Sequence, residues 1–219
     1  MNSALIQLLV LAGIAVFLIL KLRSLLGTRD GFEKKPLPPE APRAESRREF
    51  EVIEGGPDRD ITDHVAENSA SAKALAAMKA AEPSFALTPF LSGARQAYEM
   101  ILMAFERGEM DQIRSFLSDD VEAGFEEVIR ARKERGLVVE ANFVGLKEMA
   151  LQEAVYDKAS GFAELTVRFI GELTSVVRDQ NGEIVEGDSK TVKRQRDVWT
   201  FARKMGDADP NWQLVATGE

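Results

Sequence analysis

Residues 162–179 read FAELTVRFIGELTSVVRD, and their alternation decides the fold class. Phe162, Glu164, Thr166 and Arg168 fall on one side of an extended chain, and Ala163, Leu165, Val167 and Phe169 on the other. Successive side chains of a strand point to opposite faces, so this pattern gives one apolar and one polar surface. Downstream, Gln180-Asn181-Gly182-Glu183 contains Asn-Gly, the strongest short signal for a hairpin. DVWTFARKM (197–205) and NWQLVAT (211–217) continue the extended set. Upstream, LVVEANFVGLKEM (137–149) and LQEAVYD (151–157) predict two further strands.

Before Gly136 the period changes from two to that of a helix. SASAKALAAMKAAE (69–82) is rich in alanine, the best helix former, and carries Leu75 and Met78 on one side. Its narrow apolar stripe suits packing on the domain, contact with a membrane surface or a partner. Thr88-Pro89 predicts a helix start, with Thr88 as N-cap and Pro89 at the first helical position. In the helix that follows, Phe90, Ala94, Ala97, Ile101, Ala104 and Phe105 form a stripe, and Gly108 ends it. MDQIRSFL (110–117) predicts a shorter helix. Ser118 or Asp119 caps the next, on which Val121, Phe125, Val128, Ile129 and Arg132 share a face; Glu126 and Arg130 stand at i,i+4 as an ion pair, and Gly136 stops the helix. Helices first and antiparallel strands after predict an α+β domain over 69–219, a curved sheet with helices on one face.

The chain ahead of this domain has a different composition. Residues 27–68 carry Pro36, Pro38, Pro39, Pro42 and Pro57 among many charges. So little apolar area cannot offset ordering entropy, which predicts a disordered linker with the single His64 solvated near its end. Phe50, Val52 and Ile53 form one small apolar cluster there. Residues 1–26 contain SALIQLLVLAGIAVFLIL (3–20), with Gln7 the only strongly polar side chain. As a helix this run rises about 27 Å, near the roughly 30 Å of a hydrocarbon core. Leu5, Leu9, Ile14, Phe17 and Leu20 would then face lipid as a transmembrane anchor. Lys21 and Arg23 follow the apolar run rather than precede it, unlike a signal peptide. With Arg29, Lys34 and Lys35 they predict a cytoplasmic domain.

The chain has 219 residues, a formal charge of −8, a pI near 5.0 and no cysteine. Without cysteine there are no disulfides, thiolate catalysis or Cys-based metal sites, and one histidine removes most His-based chemistry. An acidic chain without a basic, aromatic face argues against nucleic acid.

Several short runs together resemble one family. Gly93-Ala94-Arg95, Tyr98-Glu99, Ile101, Ala104-Phe105 and Gly108 match its domain opening, and Leu117-Ser118, Val121 and Phe125 the helix that follows. Val177-Arg178-Asp179, Gly187-Asp188, Asp197 to Phe201 and Pro210 to Thr217 match the rest. The chain resembles the C-terminal domain of the mitochondrial presequence-translocase subunit Tim44 and the bacterial TimA-like adaptors, over about 83–217. The resemblance implies a nuclear-transport-factor-two-like cone, with long helices over a curved sheet enclosing an apolar pocket. It also implies a non-enzymatic adaptor at a bacterial inner membrane, here with an integral anchor that the mitochondrial protein lacks. Its partner would be a membrane-protein client or an inner-membrane complex, and it needs no cofactor.

Candidate pocket residues are Tyr98, Ile101, Phe105, Phe143, Phe162, Trp199, Phe201 and Trp212, which could line a site for an acyl chain or an apolar peptide; plain core packing explains each as well. A lipid-binding surface is the second reading. The third is a pocket enzyme of the isomerase type, with Tyr98, Tyr156 and Glu99 as its acid–base candidates; it requires a cavity with a buried carboxylate facing a tyrosine hydroxyl. Arg95 and Glu99 at i,i+4 also read as a surface ion pair. Gly182 and Gly187 read as turn glycines, and Asp207-Ala208-Asp209 as a turn rather than a metal site.

Overall fold

A computed structural model describes residues 56–218. The elements run α1 (Arg59–Thr62), α2 (Ala70–Ala81), α3 (Leu87–Arg107), two 3-10 turns (Met110–Gln112 and Arg114–Phe116), α4 (Asp119–Glu134), β1 (Val138–Tyr156), β2 (Phe162–Arg178), β3 (Ile184–Lys204) and β4 (Gln213–Gly218). The α+β class expected from the sequence holds: the four strands form one antiparallel sheet in the order β1-β2-β3-β4, with helices packed against it.

The alternation of residues 162–173 works as read. Ala163, Leu165, Val167 and Phe169 are fully buried, and the intervening side chains are exposed or half-buried. Asn181-Gly182 sits in the turn between β2 and β3, where Gly182 takes the left-handed φ of 83°. Asp179 organises that turn by accepting from the amides of Asn181 and Glu183, each at 2.9 Å.

The two strands expected over 137–157 are one. β1 runs unbroken for 19 residues and pairs with β2 throughout. Its register slips at Phe143/Gly145, Leu146/Glu148 and Leu151/Glu153. Each bulge inserts an unpaired residue and bends the strand, so the apolar period breaks in sequence although the pairing does not.

Helix α2 packs on the domain. Leu75 and Met78 are fully buried, and the Ser71 hydroxyl accepts from the Ala154 amide of β1 at 3.1 Å. The start of α3 differs from expectation. Thr88 is not the N-cap; the helix begins at Leu87, and Ala86 at its cap position offers no side-chain hydrogen bond. The carboxylate of Asp60 takes that role, accepting from the Leu87 amide at 2.7 Å and the Thr88 amide at 2.8 Å. Residues 58–63 therefore belong to the folded unit and not to a linker reaching 68. Ile61 is buried in the core, and Lys79 lies 2.7 Å from Asp58 and 2.8 Å from Asp60. The composition of 27–68 hides this, because the attachment rests on few side chains: Ile61 in the core, Val65 packed against it, and the carboxylates of Asp58 and Asp60. His64 is exposed, as expected, 3.5 Å from the Thr88 hydroxyl.

Two smaller corrections concern α4 and its approach. MDQIRSFL forms two 3-10 turns instead of a helix. Glu126 pairs not with Arg130 but with Arg114, 3.1 Å away across that approach. Ser118 is the N-cap of α4, and Gly136 follows the helix with a φ of 66°. No helix among the described residues is long and apolar enough to cross a membrane. The run read as an anchor, with Leu5, Leu9, Ile14, Phe17 and Leu20, lies outside the described residues, as does most of the linker.

Asp60 gives the fold a measurable acid sensitivity. Burial pushes its carboxyl up, but hydrogen bonds from Lys79, Thr88 and Leu87 outweigh that and hold it well below the usual carboxylate range. A carboxyl depressed in the folded state contributes stability above its unfolded pKa of about 3.9, and loses it as pH falls towards the folded value. Asp60→Ala should cost about 1–2 kcal/mol at pH 7, the usual range for a lost cap. Urea titrations at pH 7 and pH 3 check both statements: the variant's deficit must shrink at the lower pH.

Candidate functional site

The sequence placed eight residues in one pocket; the structure distributes them over two clefts, the core between them and the outer face of the sheet. The first cleft, about 490 Å³, opens between the α2–α3 loop, the first half of α3 and the ends of β3 and β4. Ile101, Phe201 and Trp212 line it with Phe85 and Phe90, which the sequence reading had not placed in a pocket. Phe90 anchors the aromatic cluster, with its ring 4.8 Å from Trp212 and 5.9 Å from Phe201. Phe85 stands 6.0 Å from Trp212 on the other side. Such edge-on and tilted arrangements are those that aromatic pairs favour, and they give the groove an apolar wall.

The polar end of this cleft is an ion pair. Arg203 Nη2 donates to Glu82 Oε1 at 2.7 Å, and the Gly206 amide donates to Glu82 Oε2 at 2.9 Å. The Arg203 guanidinium lies over the Trp212 ring, 5.3 Å from its centre. Hydrogen bonding from Arg203 holds the Glu82 carboxyl below its ordinary range, against the opposing effect of burial.

The second cleft, about 510 Å³, lies between the second half of α3, α4 and the inward face of β3 and β4. Phe105 and Trp199 line it, together with Leu102, Val121, Phe125 and Val128. The Phe105 and Phe125 rings are 4.5 Å apart, and the Arg132 guanidinium lies 4.7 Å from the centre of Phe105. The carboxylate of Asp197 and the amide of Gln195 also line this cleft.

Tyr98 lines neither cleft. It is fully buried, stacked on Phe169 at 4.4 Å and tilted against Trp199 at 4.8 Å. Its hydroxyl donates to Asp197 Oδ2 at 2.6 Å, and Gln195 Nε2 donates to Oδ1 at 3.0 Å. Burial first, and then the Asp197 carboxylate, push the phenol far above its usual pKa, so it stays protonated. Phe143, partly buried, packs edge-on 6.1 Å from Tyr98 against the core and lines neither cleft. Phe162 is 51% exposed and on the opposite side of β2, so it lines no pocket. The alternation that put Leu165 inward required this.

A buried carboxylate does face a tyrosine hydroxyl, but the acid is Asp197 and not Glu99, which is exposed on α3. Tyr156 is half-buried at the end of β1. The signal for Asp197 was legible: it alternates with Trp199 and Phe201 and must share their inward face. The phenol proton is committed to Asp197, and the ring is sealed by Phe169 and Trp199, so this pair pins α3 to β3. Asp207 and Asp209 form turns with the amides of Asp209 and Asn211. No group of three metal-ligating side chains occurs among the described residues.

A family model described as the Tim44-like domain matches residues 71–219. The chain is 26% identical over 117 residues to a Homo sapiens protein described as mitochondrial import inner membrane translocase subunit TIM44, covering 52% of this chain and 25% of that one. It is 21% identical over 163 residues to the Arabidopsis thaliana subunit TIM44-1, covering 71% of this chain and 34% of that one. The match thus spans between a quarter and a third of these relatives' length. Among solved structures, the intermembrane space region of chloroplast protein ARC6 is similar with a TM-score of 0.38 and 12% identity, over 58% of this chain and 94% of that one.

Proposed function

Because this chain belongs to the Tim44-like domain family, we propose that it is a non-enzymatic adaptor that binds membrane-protein clients or complex partners at a bacterial inner membrane. The family match over 71–219 is the observation that carries this reading. The relatives' names place them in a translocase of the mitochondrial inner membrane, which supports a role connected with protein transport. The apolar run at 3–20 supports a single-pass anchor over 1–26 with the domain in the cytoplasm. The first cleft suits recognition of an apolar segment. Its aromatic floor offers area for burial, and Glu82, Arg203 and Asn211 at its rim offer polar partners.

A second reading uses the same cleft for an acyl chain. A volume of about 490 Å³ lies within the range of small-ligand sites, and its aromatic walls suit a hydrocarbon. Crosslinking in intact cells, followed by purification and mass spectrometry, separates the two. The full chain and a chain lacking residues 1–26 are compared. Specific membrane proteins captured by the full chain and lost on deletion are the expected result. Partners kept without residues 1–26 would assign recognition to the domain alone. A co-purified lipid with no protein partner would replace the adaptor by the lipid reading.

A further inference from the structure

The second cleft has a chemical character that the adaptor reading does not use. Its walls are apolar, and its floor carries a carboxylate. Asp197 is only 8% exposed, yet it takes part in no ion pair among the described residues. Both of its partners, the Tyr98 hydroxyl and the Gln195 amide, are neutral donors. A carboxylate has about four lone-pair sites, so two remain open. Arg132, which lies over the Phe105 ring of the same cleft, is turned to Glu106 at 3.6 Å. Buried charges are as a rule paired, because desolvation is costly without a counter-ion. Here the missing counter-ion has a place to sit: the cleft borders Asp197 and is faced by Phe125 and Trp199, whose rings attract cations, while the Phe105 ring already carries Arg132.

We propose that this cleft is a binding site for a cation carried on an apolar body, an ammonium whose charge pairs with Asp197 while its hydrocarbon part packs on Phe105, Phe125 and Trp199. Asp120 lines the same cleft and adds to the negative potential. The site is separate from the first cleft and stands whether or not the adaptor reading does. The ammonium could belong to a free amine or to a lysine side chain of an apolar peptide, and the chemistry is shared.

The test uses the full chain in nanodiscs with Trp212→Phe, which leaves Trp199 as the one tryptophan and so as a reporter in the cleft. Phenethylamine, a cation at neutral pH, is titrated against its neutral isostere 2-phenylethanol and the anion 3-phenylpropionate, with empty nanodiscs as the blank. Phenethylamine should bind at least about tenfold more tightly than 2-phenylethanol, as expected when a hydrogen bond becomes charge-assisted. Asp197→Asn should bring the two to equal affinity. Val128, 43% exposed on the cleft's α4 side, tolerates a longer side chain. Val128→Lys places a tethered ammonium at the cleft and should weaken phenethylamine severalfold, so it carries the test if Asp197→Asn fails to fold. An N-acetylated Phe-Lys amide is titrated in parallel: tighter binding than phenethylamine assigns a peptide lysine, and weaker binding a free amine. Equal affinity for the amine and the alcohol in the unsubstituted cleft, tighter binding of the anion, or no binding of any of them overturns the proposal.

Discussion

Replacing Gly171 by alanine is expected to destabilise the domain by about 3 kcal/mol, a large loss for a single added methyl group. Gly171 lies on the inward face of β2, and its backbone is ordinary extended strand, so conformational freedom is not at issue. Space is. A Cβ at this position would stand 2.6 Å from the Tyr98 hydroxyl oxygen, 3.1 Å from Cε1 and 3.3 Å from Cζ. The ring cannot retreat, since Phe169 is stacked on it at 4.4 Å and Trp199 stands at 4.8 Å. To make room the hydroxyl must leave Asp197. Overpacking costs roughly 1–3 kcal/mol, and a buried acceptor deprived of its donor roughly another 1–3. Urea unfolding measures the sum, and a double-mutant cycle identifies its source. Tyr98→Phe removes the clashing atom as well as the hydrogen bond, so it should cost less in the alanine background than in the wild-type one. Equal costs in both would show that the methyl group is accommodated elsewhere.

Glu82→Ala should cost about 2–3 kcal/mol, because it strands the buried Arg203 charge although Glu82 itself is only half-buried. The Arg203 side chain is 7% exposed, and Glu82 is its one counter-ion among the described residues. Its Nε already lacks a hydrogen-bond partner among the described residues. The substitution therefore leaves the guanidinium over Trp212 without a carboxylate, and orphans the Gly206 amide too. Adding Arg203→Met removes the stranded charge, so the double variant should recover part of the loss. Glu82→Ala unfolding at nearly the wild-type urea concentration would mean that Arg203 escapes to water, and the rim of the first cleft would then be mobile. Arg203 holds the Glu82 carboxyl below its ordinary range, so the pair contributes stability above the unfolded carboxylate pKa. That contribution fades as pH falls towards the folded one.

The class of the fold was legible where one physical rule acted alone. In residues 162–173 the pleat dictates alternation, and Leu165, Val167 and Phe169 are buried as the pattern requires. Leu75 and Met78 followed from helical spacing in the same way. Legibility failed where two segments distant in the chain share one task. Thr88 looks like an N-cap because caps are usually local, yet Asp60 reaches the helix from 27 residues upstream of Leu87. β1 looked like two strands because bulges shift the apolar period while leaving the pairing with β2 intact. The pocket list suffered from the same limit. Aromatic residues announce burial, but not which of two clefts, or which plug of core between them, each will join. Phe162 is the instructive error: its own strand's alternation had already turned it away from Tyr98 and Trp199.

The bond between Tyr98 and Asp197 also sets a schedule. Its two ends are 99 residues apart, with α3 made early and the inward face of β3 almost last. At roughly 5–20 residues per second of synthesis, the interval is about 5–20 s. For the first part of it, until β1 and then β2 with Phe169 have been made, α3 presents Tyr98, Ile101 and Leu102 with no sheet to cover them. A nascent chain stalled between Gly136 and Phe162 would be a sticky, largely helical intermediate, and anything that shields the α3 stripe during that window, a chaperone or a neighbouring surface, would raise the yield of folded protein without altering its final stability.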